Sequence, residues 1–183
     1  SYAHHIRKIH PTPKPPQLMK EIIQFFSKEN ELVFDYFMGV GGSLLGAGLC
    51  GRKAIGIDLE KKYIEAYKAA AMDLELPVFK CIEGDCVEIL SNDKIMKQIL
   101  DNQEISLVLI APPYGNMMSR KKTGSDIKVY GNVATPFSTS DKDFGNLDLY
   151  TFYDKLKDSV NLVLPYIKKR GYIIIFIKDL QPS

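Results

Sequence analysis

The sequence predicts an α/β protein with a mostly parallel sheet and helices on both of its faces. Strand and helix patterns alternate along the chain, and residues 105–111 (ISLVLIA) are almost continuously apolar. Alternation of this kind favours parallel strands joined by helices, and a continuous apolar run is typical of a central strand covered on both sides. Sheets of this class bind ligands beyond the carboxyl ends of their strands, so the residues that follow each strand deserve the closest inspection.

Short apolar runs predict five strands, at 32–36, 54–58, 78–83, 105–111 and 172–178. Apolar residues at helical spacing predict five helices, at 17–28, 43–50, 64–74, 89–100 and 152–167. In the first of these, Leu18, Ile22, Phe25 and Phe26 share one face. The strands and helices therefore alternate over most of the chain.

Composition indicates one globular domain, expected to cover residues 1–183. Hydrophobic residues make up 45% and charged residues 25% of the 183 residues, which can enclose a substantial core. The net charge of +2 neither requires nor excludes nucleic acid. No apolar run is long enough to span a membrane, and Cys50, Cys81 and Cys86 form no Cys-x-x-Cys pair. A reduced, cytoplasmic protein is expected, with the cysteines as small core residues.

A glycine-rich turn follows the first strand, at residues 39–42 (GVGG). Closely spaced glycines permit positive φ angles and let a ligand approach the backbone, although a simple tight turn has the same appearance. Leu44 stands where a dinucleotide fingerprint requires its third glycine, and no Gly-Lys-Ser/Thr follows. The turn therefore disfavours NAD and ATP as ligands.

Carboxylates follow the first three strands, at Asp35, Asp58 and Asp85. A carboxylate in such a position can accept hydrogen bonds from the ribose or base of a nucleoside, or it can cap the helix that follows. Taken together, the three acids suit an adenosine that carries a cationic sulfonium and an amino-acid tail.

The fourth strand ends in Ala111-Pro112-Pro113-Tyr114. Prolines cannot donate a hydrogen bond to a sheet, and their fixed φ angles hold the neighbouring carbonyl groups in set directions. The tyrosine ring offers a flat surface on which a base could stack. A rigid turn with a core tyrosine is the alternative interpretation.

On these motifs the chain resembles the amino-group DNA methyltransferases, which use S-adenosylmethionine to make N6-methyladenine or N4-methylcytosine. Residues 10–15 (HPTPKP) look like the family's His-Pro-Thr-x-Lys-Pro motif, residues 35–43 like its Asp-Pro-Phe-x-Gly-x-Gly-Thr loop, and residues 111–114 like its Asp/Asn/Ser-Pro-Pro-Tyr motif. The resemblance implies a Rossmann-like fold, S-adenosylmethionine as cofactor, DNA as partner and a place in restriction–modification. The implied cofactor-binding residues are Thr12, Lys14, Asp35, Phe37, Gly39, Gly41, Ser43, Asp58, Leu59, Asp85 and Cys86. The implied catalytic residues are Ala111, Pro112, Pro113 and Tyr114.

The sequence departs from the family pattern at three positions. Tyr36 replaces the usual proline and Gly42 the usual threonine, and both changes look tolerable. Ala111 replaces the side chain that, in the family, accepts a hydrogen bond from the target amino group. Two alternatives therefore stay open: the same chemistry on RNA or on a protein glutamine, and a non-catalytic cofactor-binding subunit with an active partner. The target base, adenine or cytosine, also stays open, as does a homodimer.

Residues 115–148 lack clear periodicity and are expected to form a catalytic and target-contact loop. Basic and aromatic side chains suit phosphate contacts and base stacking, although a solvated loop is the alternative. The expected nucleic-acid contacts are Arg120, Lys121, Lys122 and Tyr130. His4, His5 and His10 lie close together in sequence, but no carboxylate or cysteine completes a metal site among them, so no metal is expected.

The family's sheet usually has seven strands, whereas five can be placed here. The last of them ends near residue 178 of 183. The C-terminal strands of the family are therefore expected to be missing, as in a catalytic-domain fragment or a chain completed by a partner.

Overall fold

A computed structural model describes residues 2–113, 115 and 137–177. Its strands are β1 (Leu32–Asp35), β2 (Lys53–Asp58), β3 (Lys80–Glu83), β4 (Ile105–Ile110) and β5 (Ile167–Ile175). They form one sheet in the order β3-β2-β1-β4-β5, and every pairing is parallel. The predicted α/β class with a parallel sheet is confirmed.

The helices are α1 (His4–Arg7), α2 (Pro16–Phe26), α3 (Gly42–Gly48), α4 (Lys61–Asp73), α5 (Cys86–Leu90), α6 (Asp93–Leu100) and α7 (Leu149–Val163). They cover both faces of the sheet. Alternate residues of a strand point to opposite sides, so each strand contributes side chains to both faces. Phe34 of β1 belongs to a core built with α5, α6 and α7, while its neighbour Val33 belongs to a core built with α2, α3 and α4. Both residues are completely buried.

The structure corrects the prediction of one continuous helix over 89–100. The chain forms α5 and α6 instead, with a break at Ser91 and Asn92. The Asn92 side chain accepts a hydrogen bond from the amide of Ile95 at 3.2 Å and so begins a new helix. Asparagine favours this N-cap position over a helix interior, which explains why apolar periodicity alone missed the break.

The last helix and the last strand also differ from their predicted limits. Helix α7 ends at Val163 rather than near 167, and a 3₁₀ turn over Leu164–Tyr166 follows it. Pro165 lies in that turn, where it has no amide hydrogen to continue an α-helix. Strand β5 then begins at Ile167, earlier than the predicted 172, and its register against β4 shifts between Ile105 and Leu107. Arg170 adopts a φ of 65° within this irregular stretch.

In the part of the chain that the structure describes, no helix has the length and apolar character needed to cross a membrane. The three cysteines are free thiols; Cys86 is buried, and Cys50 and Cys81 are partly exposed. All three pack in or against the two apolar cores, as predicted for small core residues.

Candidate functional site

One cavity of about 470 Å³ opens at the carboxyl ends of the central strands. Its walls come from the N-terminal segment, the glycine turn after β1, the residues after β2 and β3, residues 111–113 after β4, and the stretch from Phe137 to Phe144. A cavity of this size suits a small-molecule ligand. The position of the cavity agrees with the expectation for an open parallel sheet.

Most residues that the resemblance singled out meet in this cavity. Those that line it are Thr12, Lys14, Asp35, Phe37, Gly39, Ser43, Asp58, Leu59, Asp85, Cys86, Ala111, Pro112 and Pro113. Tyr114 and the expected nucleic-acid contacts Arg120, Lys121, Lys122 and Tyr130 lie outside the described residues.

Gly41 has a different place, at the N-cap of α3 with a φ of 68°. A Cβ atom built on it would lie only 2.1 Å from Cδ2 of Tyr67 in α4. Side chains rarely adopt this left-handed conformation, and here there is also no space for one. Gly41 therefore shapes the turn by letting α4 approach it closely.

Asp35 is buried at the end of β1, and each of its carboxylate oxygens accepts a hydrogen bond from the chain. Ser43 Oγ donates to one carboxylate oxygen, and the amide of Phe37 donates to the other at 3.0 Å. Burial raises the pKa of Asp35 to about 7, against the opposing effects of these two hydrogen bonds and the charge of Lys14. The Lys14 pKa is itself lowered by burial. A positive charge placed in the cavity would therefore stabilise the ionised form of Asp35.

Asp58 ties the turn after β1 to the turn after β2. It accepts hydrogen bonds from the amide of Gly39 at 2.7 Å and from the amide of Glu60 at 2.9 Å. Burial raises the pKa of Asp58 to about 6, although both amides oppose the shift. The bond to Glu60 resembles the helix-capping role considered from the sequence, yet Asp58 also lines the cavity.

Asp85 likewise combines the two roles that the sequence left open. Its carboxylate accepts a hydrogen bond from the amide of Glu88 at 2.9 Å and caps α5. The same residue lines the cavity next to Cys86 and Gly84. Capping at this helix therefore holds a carboxylate at the cavity wall.

The N-terminal segment folds over the cavity and contributes His10, the first residue of the HPTPKP stretch, which was by itself considered from the sequence only as a metal ligand. The His10 ring contacts the rings of Tyr63 and Phe137, with centroid distances of 4.7 and 5.2 Å. Burial, together with the charge of Lys14, lowers the pKa of His10 to about 4. His10 is therefore a neutral aromatic wall at physiological pH.

The buried Arg7 side chain stabilises this segment by hydrogen bonding to its backbone. Nη1 of Arg7 donates to the carbonyl oxygen of Lys14 at 2.8 Å. Among residues 2–113, 115 and 137–177, no three His, Cys, Asp or Glu side chains converge as metal ligands.

A second wall, which the sequence did not predict, comes from the described part of the 115–148 segment. Tyr63 donates from its hydroxyl to the carbonyl oxygen of Phe137 at 2.8 Å, and Ser138 donates to Glu60. Phe144 packs edge-on against Phe37, with ring centroids 4.9 Å apart. The contacts run from α4 to the glycine turn, so this stretch closes one side of the cavity.

The comparisons with known proteins agree with this arrangement. Residues 1–69 match the sequence model of a family described as DNA methylase. The Type II methyltransferase M.HpaI of Haemophilus parainfluenzae is 36% identical over 104 residues, which are 55% of this chain and 33% of that protein. The Type II methyltransferase M.HinfI of Haemophilus influenzae is 42% identical over 134 residues, 64% of this chain and 35% of that protein. The chain thus spans about a third of the length of these curated relatives.

Among solved structures, a SAM-dependent methyltransferase from Geobacter sulfurreducens in complex with S-adenosyl-L-homocysteine has the same fold. The TM-score is 0.50 at 16% identity, over 90% of this chain and 47% of that one. This likeness identifies the fold as Rossmann-like. The HPTPKP stretch, the glycine turn and Asp58 all lie inside the residues that match the family model, so this part of the chain is similar to the DNA methylase family.

Proposed function

We propose that this chain transfers a methyl group from S-adenosylmethionine to the exocyclic amino group of adenine or cytosine in DNA. The observation that carries the proposal is one cavity lined both by the expected cofactor-binding residues and by Ala111, Pro112 and Pro113. The proposal treats residues 1–183 as a single catalytic domain with residues 115–148 as its target-contact segment. It assigns DNA contacts to Arg120, Lys121, Lys122 and Tyr130.

S-adenosylmethionine supplies an activated methyl group when it is bound. In the proposal Asp58 accepts hydrogen bonds from ribose hydroxyl groups, and Asp85 accepts one from the adenine amino group. Asp35 stabilises the positive charges of the sulfonium and ammonium groups, because its buried carboxylate gains from a nearby cation. The apolar wall around Phe37 excludes water from the methyl group.

The target amine is a poor nucleophile, because its lone pair is delocalised into the base. Hydrogen-bond acceptors aimed at its N–H bonds free that lone pair, once the base has left the DNA stack. In the proposal the carbonyl oxygen of Pro112 is one such acceptor, and Tyr114 stacks on the base. The methyl group must then lie in line with the amine at about 3–3.5 Å.

The side chain of Ala111 offers no acceptor to the target amine. A positioned hydrogen-bonding group of this kind lowers the activation barrier by about 2.7–4 kcal/mol. We therefore expect Ala111→Asp and Ala111→Asn to raise the rate of methyl transfer by one order of magnitude or more. Ala111→Val, which adds bulk and no acceptor, is the matched control and is expected to give no gain. A wild-type chain that is already fast and gains nothing from Asp would show that the alanine is no defect.

The direct test is transfer of labelled methyl from S-adenosylmethionine to DNA, with binding of S-adenosylhomocysteine measured alongside. Digestion of the product to nucleosides identifies N6-methyladenine or N4-methylcytosine. Parallel reactions with RNA and with protein test the same chemistry on other substrates. Cofactor binding without transfer to any DNA sequence would contradict the proposal and favour a non-catalytic subunit with a partner.

A further inference from the structure

Asp143 is a buried carboxylate that the motifs of the family do not account for. Its side chain is 6% exposed and lies in the second wall of the cavity. One oxygen, Oδ1, accepts a hydrogen bond from the amide of Gly145 at 2.8 Å and begins a short 3₁₀ turn. The other, Oδ2, is buried and has no hydrogen-bond partner among the residues that the structure describes.

A buried carboxylate oxygen without a partner is costly, so native proteins rarely keep one unless a ligand, an ion or an ordered water satisfies it. The environment adds to this cost. Burial raises the pKa of Asp143, and the neighbouring carboxylate of Glu60 raises it further. The amides of Gly145 and Ser138 partly offset the shift, but the Ser138 amide makes no hydrogen bond to Oδ2. The chain therefore holds an acceptor at the cavity that its own described groups do not satisfy.

Asp143 lies between two ends of the cavity, one at Pro113 and the other at Asp58 and Tyr63. A Cβ atom built on Gly145 would lie 3.2 Å from Oδ1 of Asp143 and 3.3 Å from Cβ of Pro113, which places the carboxyl group near the catalytic tetrapeptide. On the other side, the charge of Asp143 raises the pKa of both Asp58 and Tyr63, at the ribose-binding end of the cavity.

We propose that Asp143 is a ligand-binding residue, whose Oδ2 accepts a hydrogen bond from an N–H or O–H group of a nucleoside in this cavity. The identity of the ligand as a nucleoside rests on the proposed function. Two nucleosides carry such donors. In the proposed function the nucleoside of the cofactor lies towards Asp58, and the target nucleoside lies towards Pro113. The shared chemistry is a neutral donor paired with a buried carboxylate.

The substitution Asp143→Asn tests this role with little change in shape. Asparagine keeps an oxygen for the Gly145 amide, while its NH₂ group takes the place of Oδ2 and cannot accept a hydrogen bond. Asp73→Asn is the matched control. Asp73 is exposed at the end of α4 and lies outside the cavity lining.

We expect the melting temperature of ligand-free Asp143→Asn to equal or exceed that of the wild type. The substitution removes a buried acidic group whose Oδ2 has no partner among the described residues. If the donor belongs to the cofactor, S-adenosylhomocysteine binds at least tenfold more weakly. If it belongs to the target nucleoside, that affinity stays within twofold and methyl transfer at saturating cofactor falls at least tenfold. Asp73→Asn should change none of these values.

Unchanged affinity together with unchanged transfer would overturn the proposal. So would a clearly lower melting temperature without ligand in both Asp143→Asn and Asp143→Ser, because the carboxylate would then be structural. A wild-type chain that binds no S-adenosylhomocysteine defeats the proposed function instead. In that case the melting comparison still tests Asp143 separately.

Discussion

At the scale of single residues, the cavity wall contains carboxylates that are buried or half-buried before any ligand binds. Asp35 and Asp58 use backbone amides and a serine hydroxyl as partners, and burial still raises the pKa of each. The folded chain therefore holds negative charge where it is expensive to keep. A cationic ligand relieves that cost, which links cofactor charge to the protonation of these groups.

This arrangement predicts a pH dependence of stability in the chain without ligand. The folded pKa of Asp35 is about 7, above its unfolded value. Between these two values the native chain holds a proton that the unfolded chain has lost, so rising pH favours unfolding. The loss reaches on the order of 1.4 kcal/mol per pH unit for one such group.

Urea denaturation at several pH values between 5 and 7.5 measures this effect. We expect the free energy of unfolding to fall more steeply with pH in the wild type than in Asp35→Asn, which has no charge to gain. The asparagine oxygen can still accept from the Phe37 amide, so the local fold is preserved. Equal slopes in the two proteins would contradict the raised pKa.

The sequence indicated the acids and glycines of the site because they lie at or shortly after the carboxyl ends of strands. It did not indicate Tyr63 or Asp143 as cavity residues, because neither belongs to a motif and each reaches the cavity through tertiary packing. His10 could have been predicted as a cavity residue, because it directly precedes the Pro-Thr pair of the HPTPKP stretch. What local pattern cannot supply is the path of residues 137–146, which lack periodicity.

At the scale of elements, the glycine turn and α3 depend on the close approach of α4. Gly41 carries a φ of 68° at the helix N-cap, against the Tyr67 ring. Gly48, at the other end of the same helix, has ordinary contacts, with the nearest atom 3.5 Å from a built Cβ. The two glycines are thus a matched pair for a test of the turn.

We expect Gly41→Ala to lower the free energy of unfolding by about 1–3 kcal/mol through strained backbone, with a further loss from the clash with Tyr67. Gly48→Ala should be neutral or stabilise by up to about 1 kcal/mol, because alanine favours a helix. Chemical denaturation of both variants measures the difference. A Gly41→Ala protein as stable as Gly48→Ala would contradict the close approach.

The limits of the elements show where sequence patterns are weak. Apolar periodicity runs without interruption from 89 to 100, but a capping asparagine divides the helix. It also runs past Val163, where a proline turn ends α7. In both places a backbone hydrogen-bonding preference overrides the hydrophobic pattern, so the predicted element types were right and their boundaries were wrong.

At the scale of the whole molecule, the cavity walls come from segments that are far apart in the sequence. Residues 10–14, 35–43, 58–63, 84–86, 109–113 and 137–144 all contribute. A bound ligand would therefore join walls that the sheet alone does not connect.

Hydrogen exchange should show this joining directly. We expect S-adenosylhomocysteine to slow amide exchange in residues 36–43 and also in residues 137–146, because both walls would contact it. Helix α6 is the internal control, since it lies outside the cavity lining and should exchange at an unchanged rate. Slower exchange in 36–43 alone would mean that the second wall takes no part in binding.

The sheet order has a consequence for how the site arises during synthesis. Strand β4 lies between β1 and β5 and begins only at Ile105, and Phe144 comes later still. A nascent chain that has released residues up to Leu100 already carries the glycine turn with Asp35 and Asp58, but β1 has one open edge and the cavity has no far side. Because chains emerge from the ribosome N-terminus first, competence to hold a ligand would appear late and abruptly, after the 137–146 stretch has left the ribosome.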